Sequence, residues 1–224
     1  MSYYPIFLRV AGRPCLVIGG GTVAEQKVES LLTTGARVTV ISPRLTTRLQ
    51  TLAATGRIKH VPRTYGDGDL AGFLLACAAT DDSAVHARIA AEAETEGVLL
   101  NVVDRPQLCD FITPSVLERG DLMIATSTNG ASPAMAKRIR RELEKSFGPE
   151  YGLALKLLRR VRESLLASTC TSSERQRIFN TLVDSPLLDH LRHGRSDDID
   201  ALLASTIGIG ISLASLGIEL PPTP

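Results

Sequence analysis

The sequence is poor in aromatic side chains. It has no tryptophan, four tyrosines and five phenylalanines among 224 residues. Proteins that hold single-stranded nucleic acids stack bases on aromatic rings, so this scarcity argues against such a surface. The formal net charge of +1 also excludes the strong basic field that attracts a phosphate backbone. We therefore expect no nucleic-acid partner.

Cysteine is scarce too, and its four copies show no pairing pattern. They lie at Cys15, Cys77, Cys109 and Cys170, without a CxxC pair. The first two are inside apolar runs. This arrangement is typical of free thiols in a reducing compartment, so we expect a cytoplasmic protein.

Three further signals are missing. The N-terminus has no basic segment followed by an apolar one, which predicts no signal peptide. The uncharged stretch 201–218 is diluted by serine, threonine and glycine, and we expect a packed terminal helix over 197–217, either straight or kinked at Gly208 and Gly210, not a membrane span. His190 and His193 have helical spacing but no further ligand beside them, which predicts no metal site.

Apolar runs of strand length alternate with helical periodicity through residues 1–113. The runs PCLVIGG, RVTVIS, IKHVPR, GFLLACAAT and VLLNVVD read as strands. TVAEQKVESLLTTGA, TRLQTLAATG and DSAVHARIAAEAETEG read as helices. Five such β-α repeats predict an α/β fold with a Rossmann-type, doubly wound parallel sheet.

The pattern changes after residue 113. Two strands around an ERGD turn are followed by helical segments at 133–147, 150–168, 172–183, 185–192 and 197–217. We therefore predict a dinucleotide-binding domain at 1–113, a separate segment at 114–148 and a small all-α module at 149–224.

A glycine-rich turn joins the first strand to the first helix. Gly19, Gly20 and Gly21 are followed by Thr22, Val23 and Ala24, which fits G-x-G-x-x-A. The first glycine permits the tight turn, the third lets a pyrophosphate approach, and the alanine lets the helix pack closely. The N–H groups at the helix start form an anion site. The pattern predicts a nicotinamide dinucleotide; a glycine turn without a ligand is the alternative.

The second strand ends without a carboxylate. A carboxylate there would bind the ribose hydroxyls of NAD, but the chain reads Ser42, Pro43 and Arg44. The serine can form one hydrogen bond to ribose, and the arginine either favours a 2′-phosphate or is a solvated surface residue. The residues leave NAD and NADP open.

Polar residues also follow the fourth and fifth strands. Thr80 is a candidate contact to ribose or nicotinamide, and Asp81 and Asp82 either join it or cap the next helix. Asn101 and Asp104 are expected to face the same crevice. The aspartate is a candidate base for proton removal during hydride transfer, or it holds a turn before the following proline.

A polar turn and a basic helix follow in the second half of the chain. Ser132 is the expected N-cap, and the N–H groups of 127–132 are candidates to receive a substrate carboxylate. The helix carries five cations, which either bind an anion or form a solvated face. They are Lys137, Arg138, Arg140, Arg141 and Lys145.

Taken together, these motifs resemble the precorrin-2 dehydrogenases, which are also the N-terminal part of sirohaem synthase. The likeness rests on YPIFLRVAGRPCLVIGGGTVAEQKVESLL, AATDD and NVVDRPQLCDFITPSVLERGDLMIATSTNGASPAMAKRIRRELE. It extends less clearly into the helical tail.

The resemblance implies oxidation of precorrin-2, an anionic tetrapyrrole, to sirohydrochlorin with NAD as hydride acceptor. It implies that Asp104 is the catalytic residue and that segment 114–148 forms a homodimer. It also implies that the turn of Ser127, Thr128, Asn129 and Gly130 contacts the substrate. Independently of the resemblance, the helix start at Ser132 and the cations from Lys137 onward would offer N–H donors and positive charge to the carboxylates of such a substrate. One relative has serine at the position of Thr128. Some members carry a methyltransferase domain, which we do not expect here.

Three hypotheses follow for function. The first is a dehydrogenase alone, and the second is a dehydrogenase that also inserts ferrous iron. The third is a dinucleotide-sensing domain without catalysis, against which Asp104 beside the crevice argues.

Overall fold

The computed structural model describes residues 3–80 and 82–221, and the chain forms two compact units that meet in sequence between Thr113 and Pro114. Asp81, one of the two candidate helix caps, lies outside the described residues.

The first unit contains a five-stranded parallel sheet in the order β3-β2-β1-β4-β5. Its strands are β1 (Pro14–Ile18), β2 (Arg37–Ile41), β3 (Lys59–Val61), β4 (Leu75–Ala78) and β5 (Leu99–Val102). Ile18 pairs with Ile41 on one side and with Ala78 on the other, so three strands end at the same level. The strand order reverses at β1 and β4, which is where ligands bind in such sheets.

Helices cover both faces of this sheet. They are α1 (Thr22–Thr33), α2 (Thr47–Ala54) and α3 (Ser83–Glu96). Val17 and Cys77 point into the cluster with α1 and α2, whereas Leu16 and Ala78 point into the cluster with α3. Because alternate residues of the central strands β1 and β4 are buried on opposite faces, these two strands are apolar throughout. The prediction of a doubly wound Rossmann-type sheet is confirmed.

The prediction of five β-α repeats was too regular, because β3 and β4 are joined by residues 62–74 without a helix. That loop is rich in glycine and aspartate, which favour turns. Glu92 of α3 holds it by accepting hydrogen bonds from the backbone N–H of Gly68 (3.1 Å) and Leu70 (2.6 Å) and from the hydroxyl of Tyr65. After β5 only a single turn of 3-10 helix forms, at Pro106–Leu108.

The second unit begins with an antiparallel hairpin and continues as helices. Its elements are β6 (Ser115–Arg119), β7 (Leu122–Thr126), α4 (Pro133–Ser146), α5 (Glu150–Leu166), α6 (Ser172–Val183), α7 (Leu187–Arg192) and α8 (Ser196–Thr206). A Cβ on Gly152 would lie 2.9 Å from the carbonyl oxygen of Arg119, so α5 packs closely on the hairpin turn. A separate cluster that includes Leu157, Leu182 and Leu203 forms the helical core.

The prediction of one long terminal helix was wrong. Helix α8 ends at Thr206, and Gly208 and Gly210 then adopt φ values of 142° and 104°, which a helix cannot contain. Leu213 and Leu216 return to the helical core through turns. Among residues 3–80 and 82–221, no helix is long and apolar enough to span a membrane.

Candidate functional site

Each of the three glycines in the turn after β1 has its own reason to be glycine. Gly19 has φ 118°, and a Cβ there would lie 2.2 Å from the carbonyl oxygen of Ala79. A Cβ on Gly20 would lie 2.0 Å from the carbonyl oxygen of Arg44. At Gly21 a Cβ would meet nothing within 4 Å. The protein itself requires the first two glycines, whereas the third borders open space, as the close approach of a pyrophosphate requires.

The start of α1 offers N–H groups to that open space. Gly21 is the N-cap, and no side chain caps the helix. Thr22 and Val23 are exposed at its first turn, and Ala24 is fully buried against the sheet. A helix start without a side-chain cap, beside open space, fits a phosphate-bearing ligand by its orphan N–H groups and its dipole.

The loop after β2 uses its serine internally. The buried Ser42 hydroxyl donates to the carbonyl oxygen of Arg44 at 2.7 Å, and Nε2 of His60 lies 2.9 Å from the Ser42 carbonyl oxygen. The Ser42 proton thus closes the turn against Gly20, so of the two predicted roles toward ribose, donor or acceptor, this conformation leaves the acceptor. Pro43 is exposed beside it.

The loop after β4 lies against Gly19 and is held from α3. Nε2 of His86, a residue with 6% exposure, lies 2.8 Å from the carbonyl oxygen of Thr80. A carbonyl only accepts, so this nitrogen carries the ring proton. Asp82 accepts from the N–H of Ala84 at 3.0 Å and caps α3, as one of the two alternatives predicted. No local motif indicates these roles of His60 and His86 in advance.

Asp104 follows β5 on a tight turn. Val103 N–H donates to the carbonyl oxygen of Ala78, and Arg105 N–H to that of Val102. Between them Asp104 is exposed and has φ 57°, a left-handed conformation that costs energy for any residue with a Cβ. In the described part of the chain its carboxylate accepts no hydrogen bond, so the alternative of an Asx-type turn finds no support. The carboxylate is available to a ligand.

Asn101, by contrast, points into the protein. It is 7% exposed, and its Nδ2 donates to the carbonyl oxygen of Phe111 at 3.0 Å. The expectation that it faces the crevice is not met, because it lies inside β5 on the face that packs against α1. Cys109 sits beside it and bonds to both the N–H and the carbonyl oxygen of Val102, each at 3.2 Å. Burial raises the pKa of the Cys109 thiol, which suits a structural role in the Asp104 loop.

The polar turn before α4 satisfies most of its own groups. Ser132 caps α4 as predicted, accepting from the N–H of Met135 at 3.2 Å. The Thr128 hydroxyl accepts from the Ser132 N–H (3.0 Å) and donates to its carbonyl oxygen (3.1 Å). Ser127 Oγ accepts from Asn129 N–H, and Ala131 N–H donates to Thr128. The N–H groups of Asn129, Ala131 and Ser132 are therefore engaged within the turn, and a substrate carboxylate at the others of 127–132 stays a prediction.

The exposed features that remain at this turn are Asn129 and the Gly130 backbone. Asn129 has φ 52° and Gly130 has φ 83°. Asn129 and Asp104 are the two described non-glycine residues with positive φ. Asparagine and aspartate tolerate this conformation best, and such strained positions often belong to functional sites.

The cations of α4 divide into two groups. Arg138 forms an ion pair with Glu142 (3.1 Å), and Arg140 pairs with Glu144. The other three pair with no carboxylate among residues 3–80 and 82–221, and they are spaced four residues apart. We call them the cationic stripe, which consists of Lys137, Arg141 and Lys145. At 1.5 Å of rise per residue it is about 12 Å long.

Metal ligands do not cluster in the described part of the chain. No group of three or more His, Cys, Asp or Glu side chains could hold a metal ion there. Burial raises the pKa of the Cys77 thiol to about 11, although the positive charge of Lys27 lowers it somewhat. That thiol stays protonated near neutral pH.

Comparison with known families matches both parts of the chain. A family model of NAD(P)-binding domains matches residues 6–115, and a model of the sirohaem biosynthesis protein central domain matches residues 119–146. A siroheme synthase of Thioalkalivibrio sulfidiphilus is 35% identical over 98% of this chain and 45% of its own length. One from Methylobacillus flagellatus is 39% identical over 80% of this chain and 38% of its own length. The chain thus spans less than half of these curated relatives.

A solved structure matches most of the chain. It is titled SirC, precorrin-2 dehydrogenase, and it has a TM-score of 0.77 and 26% identity, covering 91% of this chain and 98% of its own. The chain belongs to the family of the precorrin-2 dehydrogenases and the N-terminal parts of sirohaem synthases.

Proposed function

We propose that the protein oxidises precorrin-2 to sirohydrochlorin, with NAD as the hydride acceptor. One observation carries the proposal. At the carboxyl ends of β1, β4 and β5, the structure has open space beside Gly21 and an Asp104 carboxylate that is not engaged by the described residues. The open space at Gly21 can hold a pyrophosphate. The Asp104 carboxylate can accept the proton that leaves one substrate carbon while hydride leaves the adjacent carbon.

The chain's residues divide the work in this proposal. The oxidation removes one hydride and one proton from the substrate, and NAD, when bound, takes the hydride. The N–H groups at the start of α1 bind its phosphates. Asp104 receives the proton on a carboxylate oxygen and releases it to solvent. Val23, whose side chain is 41% exposed, provides an apolar contact at the helix start.

The substrate's acidic groups call for cations. We propose that the cationic stripe binds peripheral carboxylates of the tetrapyrrole, with Asn129 as a hydrogen-bonding neighbour. Arg138 and Arg140 are less suited, because intrahelical carboxylates already compensate their charge. Ser127, Thr128 and Ser132 are proposed to shape the turn, with any substrate contact through their remaining lone pairs.

We further infer a homodimer built on segment 114–148 and a cytoplasmic location. Support for the dimer comes from the hairpin, whose two strands pair only with each other among the described residues, and from Met123 and Met135, which are 43% and 47% exposed. Support for the location comes from four unpaired cysteines.

The test is turnover by the purified full chain. Protein, NAD and precorrin-2 are mixed anaerobically, and reduced nicotinamide and sirohydrochlorin are recorded together by absorbance. The proposal predicts one reduced nicotinamide for each sirohydrochlorin. Tight NAD binding without turnover would favour a sensing domain instead. Ferrous ion added after conversion then tests for metal insertion.

A further inference from the structure

The end of β2 lacks the group that lets a dinucleotide site reject a 2′-phosphate. In sites selective for NAD, a carboxylate about 20 residues after the glycine turn binds the ribose 2′-hydroxyl, and its charge repels a phosphate there. This chain has Ser42, Pro43 and Arg44 at that place. The Ser42 hydroxyl is directed to the Arg44 carbonyl oxygen at 2.7 Å, so it does not replace the carboxylate.

The backbone places Arg44 next to the glycine turn. A Cβ on Gly20 would lie 2.0 Å from the Arg44 carbonyl oxygen, and the N–H of Thr46 donates to the Gly20 carbonyl oxygen at 3.0 Å. The ribose nearer the adenine is expected at this junction, since it follows the pyrophosphate along the ligand. We therefore expect the Arg44 side chain to lie beside the 2′ position of a bound dinucleotide.

Arg44 is exposed and forms no ion pair with any described residue, whereas the acids nearby are engaged. Glu25 accepts from the Thr46 hydroxyl at 2.6 Å, and Glu29 pairs with Arg48 at 3.0 Å. An arginine without a carboxylate partner binds a phosphate through charge-assisted and often bidentate hydrogen bonds.

A surface pocket of about 430 Å³ adjoins this arginine. It is lined by Pro43, Arg44, Leu45, Gln50, Ala53 and His60. None of these side chains is acidic. The pocket is large enough for a phosphate group, and His60 fixes one wall by its bond to the Ser42 carbonyl oxygen.

We propose that the site binds the 2′-phosphorylated dinucleotide NADP at least as tightly as NAD, and that Arg44 is the residue that determines this specificity. This inference rests on the proposed function, because it concerns the adenosine end of the same dinucleotide site. Its ligand chemistry is a phosphate monoester on the ribose 2′ oxygen.

The test is calorimetric titration of the full chain with NADP and with NAD at one fixed, low salt concentration, since exposed charges are screened by salt. The wild type is expected to bind NADP with an equal or lower Kd. Arg44→Ala should raise the ratio of the NADP Kd to the NAD Kd about tenfold, and Arg44→Glu about a hundredfold. Arg48→Ala is the matched control, because it removes an exposed arginine four residues away and should leave the ratio unchanged.

The outcomes separate the two proposals. If neither dinucleotide binds, the proposed function fails. If NAD binds at least tenfold more tightly than NADP, the dinucleotide site stands and the specificity inference is overturned. It is also overturned if Arg44→Ala leaves the ratio unchanged, or if Arg48→Ala shifts it equally. Thermal unfolding of each variant verifies that the fold is intact.

Discussion

The two turns that carry the candidate residues, one in each unit, use their polar groups in opposite ways. The glycine turn after β1 leaves an uncapped helix start and open space at Gly21. The polar turn before α4 uses the hydroxyls of Ser127, Thr128 and Ser132, and the N–H groups of Asn129, Ala131 and Ser132, for hydrogen bonds within the turn and to the start of α4. The first turn is therefore prepared for an anion. The second is a rigid support for what surrounds it, namely Asn129 and the cationic stripe.

The largest effect on stability is expected where the glycine turn meets the protein itself. In Gly19→Ala the new methyl group would lie 2.2 Å from the Ala79 carbonyl oxygen on a residue with φ 118°. Overpacking and backbone strain together should cost about 3 kcal/mol of unfolding free energy or more. Urea denaturation measures it. Gly21→Ala is the matched control, with an expected change below about 0.5 kcal/mol. Equal stability of both variants would contradict the assigned close approach.

The next effect concerns the open side of the same turn. Gly21→Asp should raise the dinucleotide Kd about a hundredfold, because the carboxylate would occupy and repel the phosphate position. Stability should stay unchanged or rise by a few tenths of a kcal/mol, since aspartate is a good N-cap. Calorimetry and urea denaturation measure the two quantities. An unchanged dinucleotide Kd would show that Gly21 does not border the phosphate position.

A smaller effect is expected at the second turn. Replacing all three residues of the cationic stripe by glutamine should raise the KM for precorrin-2 about tenfold while kcat changes less, because the lost interactions are with peripheral carboxylates. Steady-state kinetics at fixed salt measure this. Arg138→Gln is the control, since Glu142 already neutralises that arginine. If the triple variant and the wild type have the same KM, the cationic stripe does not bind the substrate.

The smallest effect lies outside both turns, in the helical core. Glu150 is 6% exposed, and Arg192 donates to it at 2.7 Å. Burial raises the pKa of the Glu150 carboxyl, but hydrogen bonds from Arg192 and from backbone N–H groups outweigh it, so the pKa lies below its ordinary 4.5. The unfolded chain then binds the proton more tightly. The stabilisation is full above about pH 5 and is lost as the pH falls through the folded-state pKa.

Glu150→Gln should therefore cost about 1 to 2 kcal/mol at pH 7. The difference from the wild type should shrink as the pH falls below 4. Urea denaturation at several pH values measures it. A difference that is constant with pH would show that the loss comes from packing and not from the ion pair.

Local patterns in the sequence were enough to predict the sheet, its buried strands and the glycine turn. Apolar runs and glycine positions are properties of short segments, and they specify strands and turns directly. The helix-free link before β4 was missed because Glu92, far along the chain, holds the loop. The true end of α8 was missed because the glycine pair was given too little weight against a long apolar run.

The site was predictable in position but less so in detail. A residue that follows a strand lies at the carboxyl edge of the parallel sheet, as Asp104 does. Its place in the sequence does not show whether its side chain is already hydrogen-bonded to the protein. Ser42 and Asn101 both proved to be engaged by the protein. The contacts of His60 and His86 with strand-end carbonyl oxygens join residues that are separated in sequence, so no local motif indicates them.

The most direct test of the central claim is single-turnover oxidation of precorrin-2 by Asp104→Asn with saturating NAD. Asparagine tolerates the left-handed conformation, so the turn should persist while the base is lost. The account predicts a rate at least a hundredfold below the wild type. Glu94→Gln, an exposed acid on α3, should match the wild type. A wild-type rate for Asp104→Asn would contradict the assignment of Asp104 as the base in hydride transfer.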